Sequence, residues 1–187
     1  MYNHNKKLVF VHVPRTGGTA IKNSLGGFRK PGVGYHENWE TIKAANPKAW
    51  ENYFKFSVVR NPWDRVYSIY SYYKNSPRQR TGVKPRELPD MFEDFVWDLS
   101  RYLGILGLNY NQCEYIGDEL NFVCRFENLR NDFKYMCKLA GVTPVREFER
   151  KRESRRDPNY TNVYNSQLEY IVESYFAEDI EKYGYEY

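Results

Sequence analysis

The sequence predicts an α/β fold with a central parallel β-sheet flanked by helices. Three observations carry that reading. Residues 8–13, 54–60 and 120–126 are short apolar runs of the length and composition of buried strands. Each is followed by a turn or helix-start signal and then by a helix-forming stretch. Strands that alternate with helices in this way pair in parallel, with the helices packed on the sheet faces. A length of 187 residues suits a single domain spanning 1–187 with one good core.

The elements follow in order. Residues 8–13, LVFVHV, form the first strand, and 19–27 a short helix. Residues 28–38 are rich in Gly and Pro and read as loop. A short helix is expected over 39–45, ended by Pro47. Residues 54–60, FKFSVVR, are the second strand. Asn61 then caps a helix with Pro62 at its first position and Asp64 in its first turn. Val66, Ile69, Tyr70 and Tyr73 give that helix an apolar stripe. Residues 75–89 are a basic loop. Asp90 and Glu93 have capping-box spacing ahead of a helix with Phe92, Phe95, Val96, Leu99 and Leu103 on one face. Residues 104–119 read as irregular. After the third strand, Asn128 is a candidate cap for a helix that ends at Gly141 and buries Leu129, Phe133, Met136, Cys137 and Ala140. A last helix over 165–182 buries Leu168, Ile171, Val172, Tyr175 and Phe176. In open parallel sheets ligands bind beyond the carboxyl ends of the strands. That rule places Arg15, Arg60 and Arg125 or Glu127 on one edge.

Composition narrows the class. The chain is 41% hydrophobic and 28% charged, as a soluble globular protein is. Its 18 tyrosines suit half-buried surfaces or a wet aromatic cleft. A net charge of +4 suits an anionic ligand and does not demand nucleic acid. Cys113, Cys124 and Cys137 have no metal-ligand spacing and read as reduced thiols. The apolar run before Pro14 is too short for a signal peptide or membrane span. A cytoplasmic protein without a membrane span is the expectation.

The most informative segment is LVFVHVPRTGGTAIKNSL, residues 8–25. A strand that passes through a glycine turn into a helix N-terminus is an anion site, because backbone N–H groups and the helix dipole converge there. Arg15, Thr16 and Thr19 add side-chain donors. Arg15 stays cationic and has a planar fork suited to tetrahedral oxyanions. A nucleotide triphosphatase would need G-x-x-x-x-G-K-[ST], which is absent. A second segment, VVRNPWDRVYS at 58–68, has Arg60 at a strand end and Ser68 about two turns beyond the cap. One arginine and one hydroxyl there can hold a second phosphate. The plainer alternative is a local Arg60–Asp64 ion pair with a surface serine.

Taken together, the two segments resemble the cofactor motifs of sulfotransferases that use 3′-phosphoadenosine 5′-phosphosulfate (PAPS), in particular the Golgi-type carbohydrate sulfotransferases and their small bacterial counterparts. The first family motif reads roughly H-[IV]-P-K-T-G-G-T and matches His12 to Thr19. The second reads roughly V-R-[ND]-P-x-[DE]-R-x-x-S and matches Val59 to Ser68. The likeness continues in RFENL at 125–129, in Asp132, and in the segment YFAEDIEKYGYEY. It implies a P-loop-like three-layer fold and PAPS as co-substrate, with no metal. It also implies an acceptor hydroxyl on a carbohydrate, and no nucleic-acid partner. Arg15, Thr16, Gly17, Gly18 and Thr19 would grip the 5′-phosphosulfate, and Arg60 and Ser68 the 3′-phosphate. Arg15 stands where the family usually has lysine, so it can neutralise charge but cannot act as an acid.

Sulfuryl transfer to an alcohol needs a base for the hydroxyl proton. His4 lies in a segment expected to fray, and His12 reads as a core histidine. His36, in the loop between the motifs, is the expected base, with Glu37 or an acidic residue elsewhere as second choice. The charge-dense run at 146–156 reads as a solvated face. In the resembled family a basic segment here closes over the cofactor, which makes Arg152, Ser154 and Arg155 further candidates. Two other readings compete: an ATP-type phosphoryl-transfer protein, and a non-catalytic module that binds nucleotide or sulfated polymer.

Overall fold

A computed structural model of the chain describes residues 1–29, 36–75, 88–149 and 156–187. In chain order the elements are β1 (Tyr2–Asn3), β2 (Leu8–Val11), α1 (Gly18–Leu25), α2 (Trp39–Ala45), α3 (Pro47–Asn52), β3 (Phe54–Val59) and α4 (Pro62–Asn75). They continue with α5 (Phe92–Trp97), α6 (Leu99–Leu106), α7 (Gln112–Ile116), β4 (Phe122–Arg125), α8 (Leu129–Leu139), α9 (Ser166–Tyr175) and α10 (Ala177–Tyr183). The chain divides into two compact units. One is Met1–Arg60 with Gln112–Arg152; the other is Asn61–Asn111 with Glu153–Tyr187.

The first unit holds the sheet, in strand order β1-β2-β3-β4. β2, β3 and β4 are parallel, with Val11 opposite Ser57 and Val59 opposite Arg125. Their carboxyl ends therefore share one edge. β2 is buried along its whole length, which is why it reads as a continuous apolar run rather than an alternating one. Phe10 and Phe56 stack at 4.8 Å in a core with Ile21, Leu25, Leu129 and Met136, which docks α1 and α8 against the sheet.

β1 was not legible in the sequence. It is two residues long and antiparallel to β2, so the sheet is mostly rather than wholly parallel. The segment expected to fray is held down. Tyr2 and Asn3 are buried, and the Tyr2 hydroxyl donates to the Ile42 carbonyl. His4 stacks on Tyr2 and contacts the Tyr53 hydroxyl. Pro47 does not simply end α2: it opens α3 from the first helical position, with Asn46 Oδ1 accepting from Ala49 N. Residues 104–119 are likewise more regular than expected. α6 runs to Leu106, and α7 occupies Gln112–Ile116.

In the second unit α4 begins where the Asn61 cap and Pro62 predict, with Asn61 Oδ1 accepting from the Trp63 and Asp64 amides. Its first ten residues, Pro62 to Ser71, are all buried, so the helix is central rather than half-exposed. Phe92 and Phe95 pack on Tyr67 and Tyr70 at 5.1 and 5.4 Å. The Asp90–Glu93 capping box does not form. Met91 is the cap residue, and the Asp90 carboxylate takes a 2.6 Å bond from Lys74 instead. Two long helices expected from the pattern are each broken once, at Asp98 and at Phe176. Residues 76–87, most of the expected basic loop, lie outside the described residues.

Candidate active site

The first motif leaves β2 at His12 and turns through Pro14–Gly17 into α1. The turn is built from unusual backbone. Arg15 takes φ 69°, a left-handed conformation that costs a non-glycine residue free energy unless its surroundings enforce it. Two contacts enforce it. Thr16 is fully buried and its Oγ1 donates to the Val13 carbonyl at 2.8 Å. Arg60 Nη1 donates to the Arg15 carbonyl, also at 2.8 Å. The arginine of the second motif thus ties directly to the turn of the first.

Both glycines are required by their surroundings. Gly17 sits at φ 85°, and a Cβ there would lie 2.7 Å from Leu129 Cδ2. At Gly18 a Cβ would lie 2.0 Å from His12 Nε2. The side chain pressing on Gly18 is therefore the histidine that opens the motif. Thr19 is exposed in the first turn of α1, where amides have no helical acceptor and point outward.

His12 is buried, with its ring on Phe10 at 5.1 Å and on His36 at 4.2 Å. His36 lies 3.1 Å, through Nδ1, from the His12 carbonyl. A carbonyl only accepts, so Nδ1 carries the hydrogen, and in the neutral ring Nε2 is the nitrogen with the lone pair. Among the described residues, Nε2 of His36 has no hydrogen-bond partner. Desolvation lowers the His36 pKa below the ordinary imidazole value. The His12 carbonyl bond and Glu37 pull it back up, while the positive charges of Lys22 and Arg15 lower it further. Burial and the nearby cations thus favour the neutral, Nδ1-protonated form of His36, within the electrostatic reach of Arg15.

Arg60 follows β3 and is buried, its guanidinium 3.9 Å above the Phe126 ring. Its backbone is gripped on both sides by Gln112. The Arg60 N–H donates to Oε1 at 3.0 Å, and Nε2 donates to the Arg60 carbonyl at 2.9 Å. Sequence reasoning missed Gln112, because it lies in a stretch without helical periodicity and is 52 residues away in the chain.

In the second unit, Ser68 is buried on α4, one turn beyond Asp64. The Asp64 carboxylate accepts from Arg156 Nη2 at 2.5 Å, and the Arg156 guanidinium lies 4.9 Å from the Tyr67 ring. This non-local ion pair has no local sequence signal. The candidates Arg152, Ser154 and Arg155 lie outside the described residues. Arg125 is exposed, with its N–H donating to Asp132, and Glu127 is exposed.

Among the described residues no group of three or more His, Cys, Asp or Glu side chains is arranged to hold a metal ion. Nor is any described helix long and apolar enough to cross a membrane. No curated protein matches the chain in sequence. Among solved structures, the fold is similar to mouse sulfotransferase SULT7A1 complexed with PAP. The two are 13% identical with a TM-score of 0.58, over 94% of this chain and 84% of that one. The sequence profile of the sulfotransferase family matches residues 1–186, and with both of its motifs joined through Arg60 and the Arg15 carbonyl, the chain belongs to the sulfotransferase family.

Proposed function

We propose that the chain moves the sulfuryl group of PAPS onto an acceptor hydroxyl, with His36 as general base and a carbohydrate as the acceptor class. The observation that carries the reading is the His36 ring. Its Nδ1 is engaged by the His12 carbonyl beside the first motif, its Nε2 has no hydrogen-bond partner among the described residues, and burial lowers its pKa toward the neutral form. The acceptor oxygen attacks sulfur while its proton passes to Nε2. The bond between sulfur and the bridging oxygen breaks, and adenosine 3′,5′-bisphosphate leaves with the electron pair. The imidazolium then releases its proton to water.

Arg15 and the outward amides of Gly17, Gly18 and Thr19 take the 5′-phosphosulfate and stabilise the charge that builds on its oxygens. Thr16 spends its hydroxyl hydrogen on Val13, so its share in this reading is its backbone N–H. Arg60 takes the 3′-phosphate. The second motif assigns Ser68 to the same group, and the basic segment adds Arg152, Ser154 and Arg155; these four assignments follow the family resemblance. We read the 187 residues as one functional domain, supported by the extent of the family match. Cys113, Cys124 and Cys137 are buried and form no disulfide, which suits a reducing, cytoplasmic setting.

The test is transfer of radiolabelled sulfuryl from PAPS to a panel of hydroxyl acceptors, including mono- and oligosaccharides. Labelled sugar product, abolished by His36→Ala, is expected. Transfer to phenols but not sugars would overturn the acceptor class. Unchanged turnover in His36→Ala would overturn the base. Bisphosphate binding without any transfer would leave a non-catalytic nucleotide-binding module.

A further inference from the structure

The Arg60 peptide sits at a structural discontinuity. β3 pairs with β4 as far as Val59, opposite Arg125, and α4 begins at Pro62. Arg60 therefore lies between the sheet ladder and the helix, where its backbone polar groups belong to neither. A buried peptide in that position costs free energy unless both groups find partners. Gln112 supplies both from one fully buried carboxamide, at 3.0 and 2.9 Å. With the backbone fixed, the side chain is held at two further points, the Phe126 face at 3.9 Å and the Arg15 carbonyl at 2.8 Å. Phe126 also backs the first motif: a Cβ on Gly17 would lie 3.3 Å from its ring. Backbone and guanidinium are thus held by different groups, and Gln112 supplies a hydrogen bond to each side of the backbone end.

Fixing a charged donor before the ligand arrives lowers the ordering cost of binding. A guanidinium on a loose peptide would have to be immobilised at the ligand's expense. That loss falls on whichever ligand group the guanidinium recognises. Under the functional reading above, on which this inference rests, that group is the 3′-phosphate.

We propose that Gln112 is a positioning residue for donor selectivity: its carboxamide clamps the Arg60 peptide and so aims the guanidinium that distinguishes 3′-phosphorylated from unphosphorylated nucleotide. Gln112 does not touch the ligand and acts through Arg60.

The experiment compares dissociation constants for adenosine 3′,5′-bisphosphate and adenosine 5′-monophosphate, by calorimetry, in wild type, Gln112→Met and Gln112→Glu. Methionine keeps the volume and removes both hydrogen bonds. Glutamate keeps the acceptor for the Arg60 N–H and loses the amide donor. Gln112→Met should weaken the bisphosphate by roughly tenfold while 5′-monophosphate changes less than about twofold, and Gln112→Glu should fall between wild type and methionine. Equal weakening of both ligands would overturn the proposal, because it marks a general structural role. Unchanged selectivity would overturn it as well. Failure of both variants to fold would also count against it, since the contact would then be needed for the fold itself. A wild-type protein that does not prefer the bisphosphate would instead sink the 3′-phosphate reading of Arg60, which separates the two failures.

Discussion

Gly18→Ala probes the packing that joins the first motif to the proposed base. The added methyl would arrive 2.0 Å from His12 Nε2, 2.2 Å from Cδ2 and 2.7 Å from Cε1. Ordinary carbon contacts lie at about 3.5 Å or more, so the ring or the helix start must shift by about 1 Å or more. The ring has little room, being buried between Phe10 at 5.1 Å and His36 at 4.2 Å. Overpacking a tight site costs about 1–3 kcal/mol, and a clash with a trapped ring belongs at the upper end, about 3 kcal/mol. For a protein of this size that is a drop in Tm of roughly 6–12 °C. Displacing His12 also moves the carbonyl that orients His36, and a misplacement of about 1 Å can cost on the order of 100-fold in kcat. Scanning calorimetry and transfer kinetics read the two effects. In a His12→Ala background the methyl has space, so the same substitution should cost at least about 1 kcal/mol less. Wild-type melting and turnover in Gly18→Ala, or full additivity with His12→Ala, would show that the His12 ring does not constrain position 18.

His36→Ala should abolish transfer while leaving bisphosphate affinity within about twofold of wild type, as read by calorimetry. Because desolvation lowers the His36 pKa, its neutral form persists below the ordinary value of 6.5, so the acid limb of kcat/KM should fall below pH 6.5; a limb above 6.5 would assign the base elsewhere. The sign carries over to stability: a folded-state pKa below the unfolded one adds stability above pH 6.5 that is lost as pH falls through the folded value, and His36→Gln should flatten that loss in pH-dependent urea melts. Arg60→Ala should weaken adenosine 3′,5′-bisphosphate at least tenfold more than 5′-monophosphate in equilibrium binding. Asp64→Asn removes the carboxylate from the part-buried Arg156 pair and should cost up to about 3 kcal/mol, seen as a lower urea midpoint with unchanged slope.

Features with local causes were legible in the sequence. The β2 run and the Asn61–Pro62 start of α4 depend on residues within one turn of themselves, and the glycine pair marks the turn between β2 and α1, so both motifs are placed. What escaped depends on distant partners. β1 pairs through two residues with no pattern of their own. The capping-box spacing at Asp90 misled because Lys74 competes for the carboxylate. Gln112 and Arg156 find their partners 52 and 92 residues away. The Gly18 requirement likewise could not be read from turn chemistry alone, since its cause is the His12 ring. Breaks at Asp98 and Phe176 interrupt helices whose apolar periodicity continues across them, so periodicity could not locate them.

The proposed function requires the turn at Arg15–Thr19 and Arg60 to hold a 3′,5′-phosphorylated adenosine nucleotide together. Thermal unfolding with adenosine 3′,5′-bisphosphate, set beside ATP with Mg²⁺, tests it most directly. At about 100 times its dissociation constant the bisphosphate should add about 2.7 kcal/mol, raising Tm by roughly 5–11 °C, with a much smaller effect of ATP and Mg²⁺. Stabilisation by ATP and Mg²⁺ with none from the bisphosphate would contradict the claim.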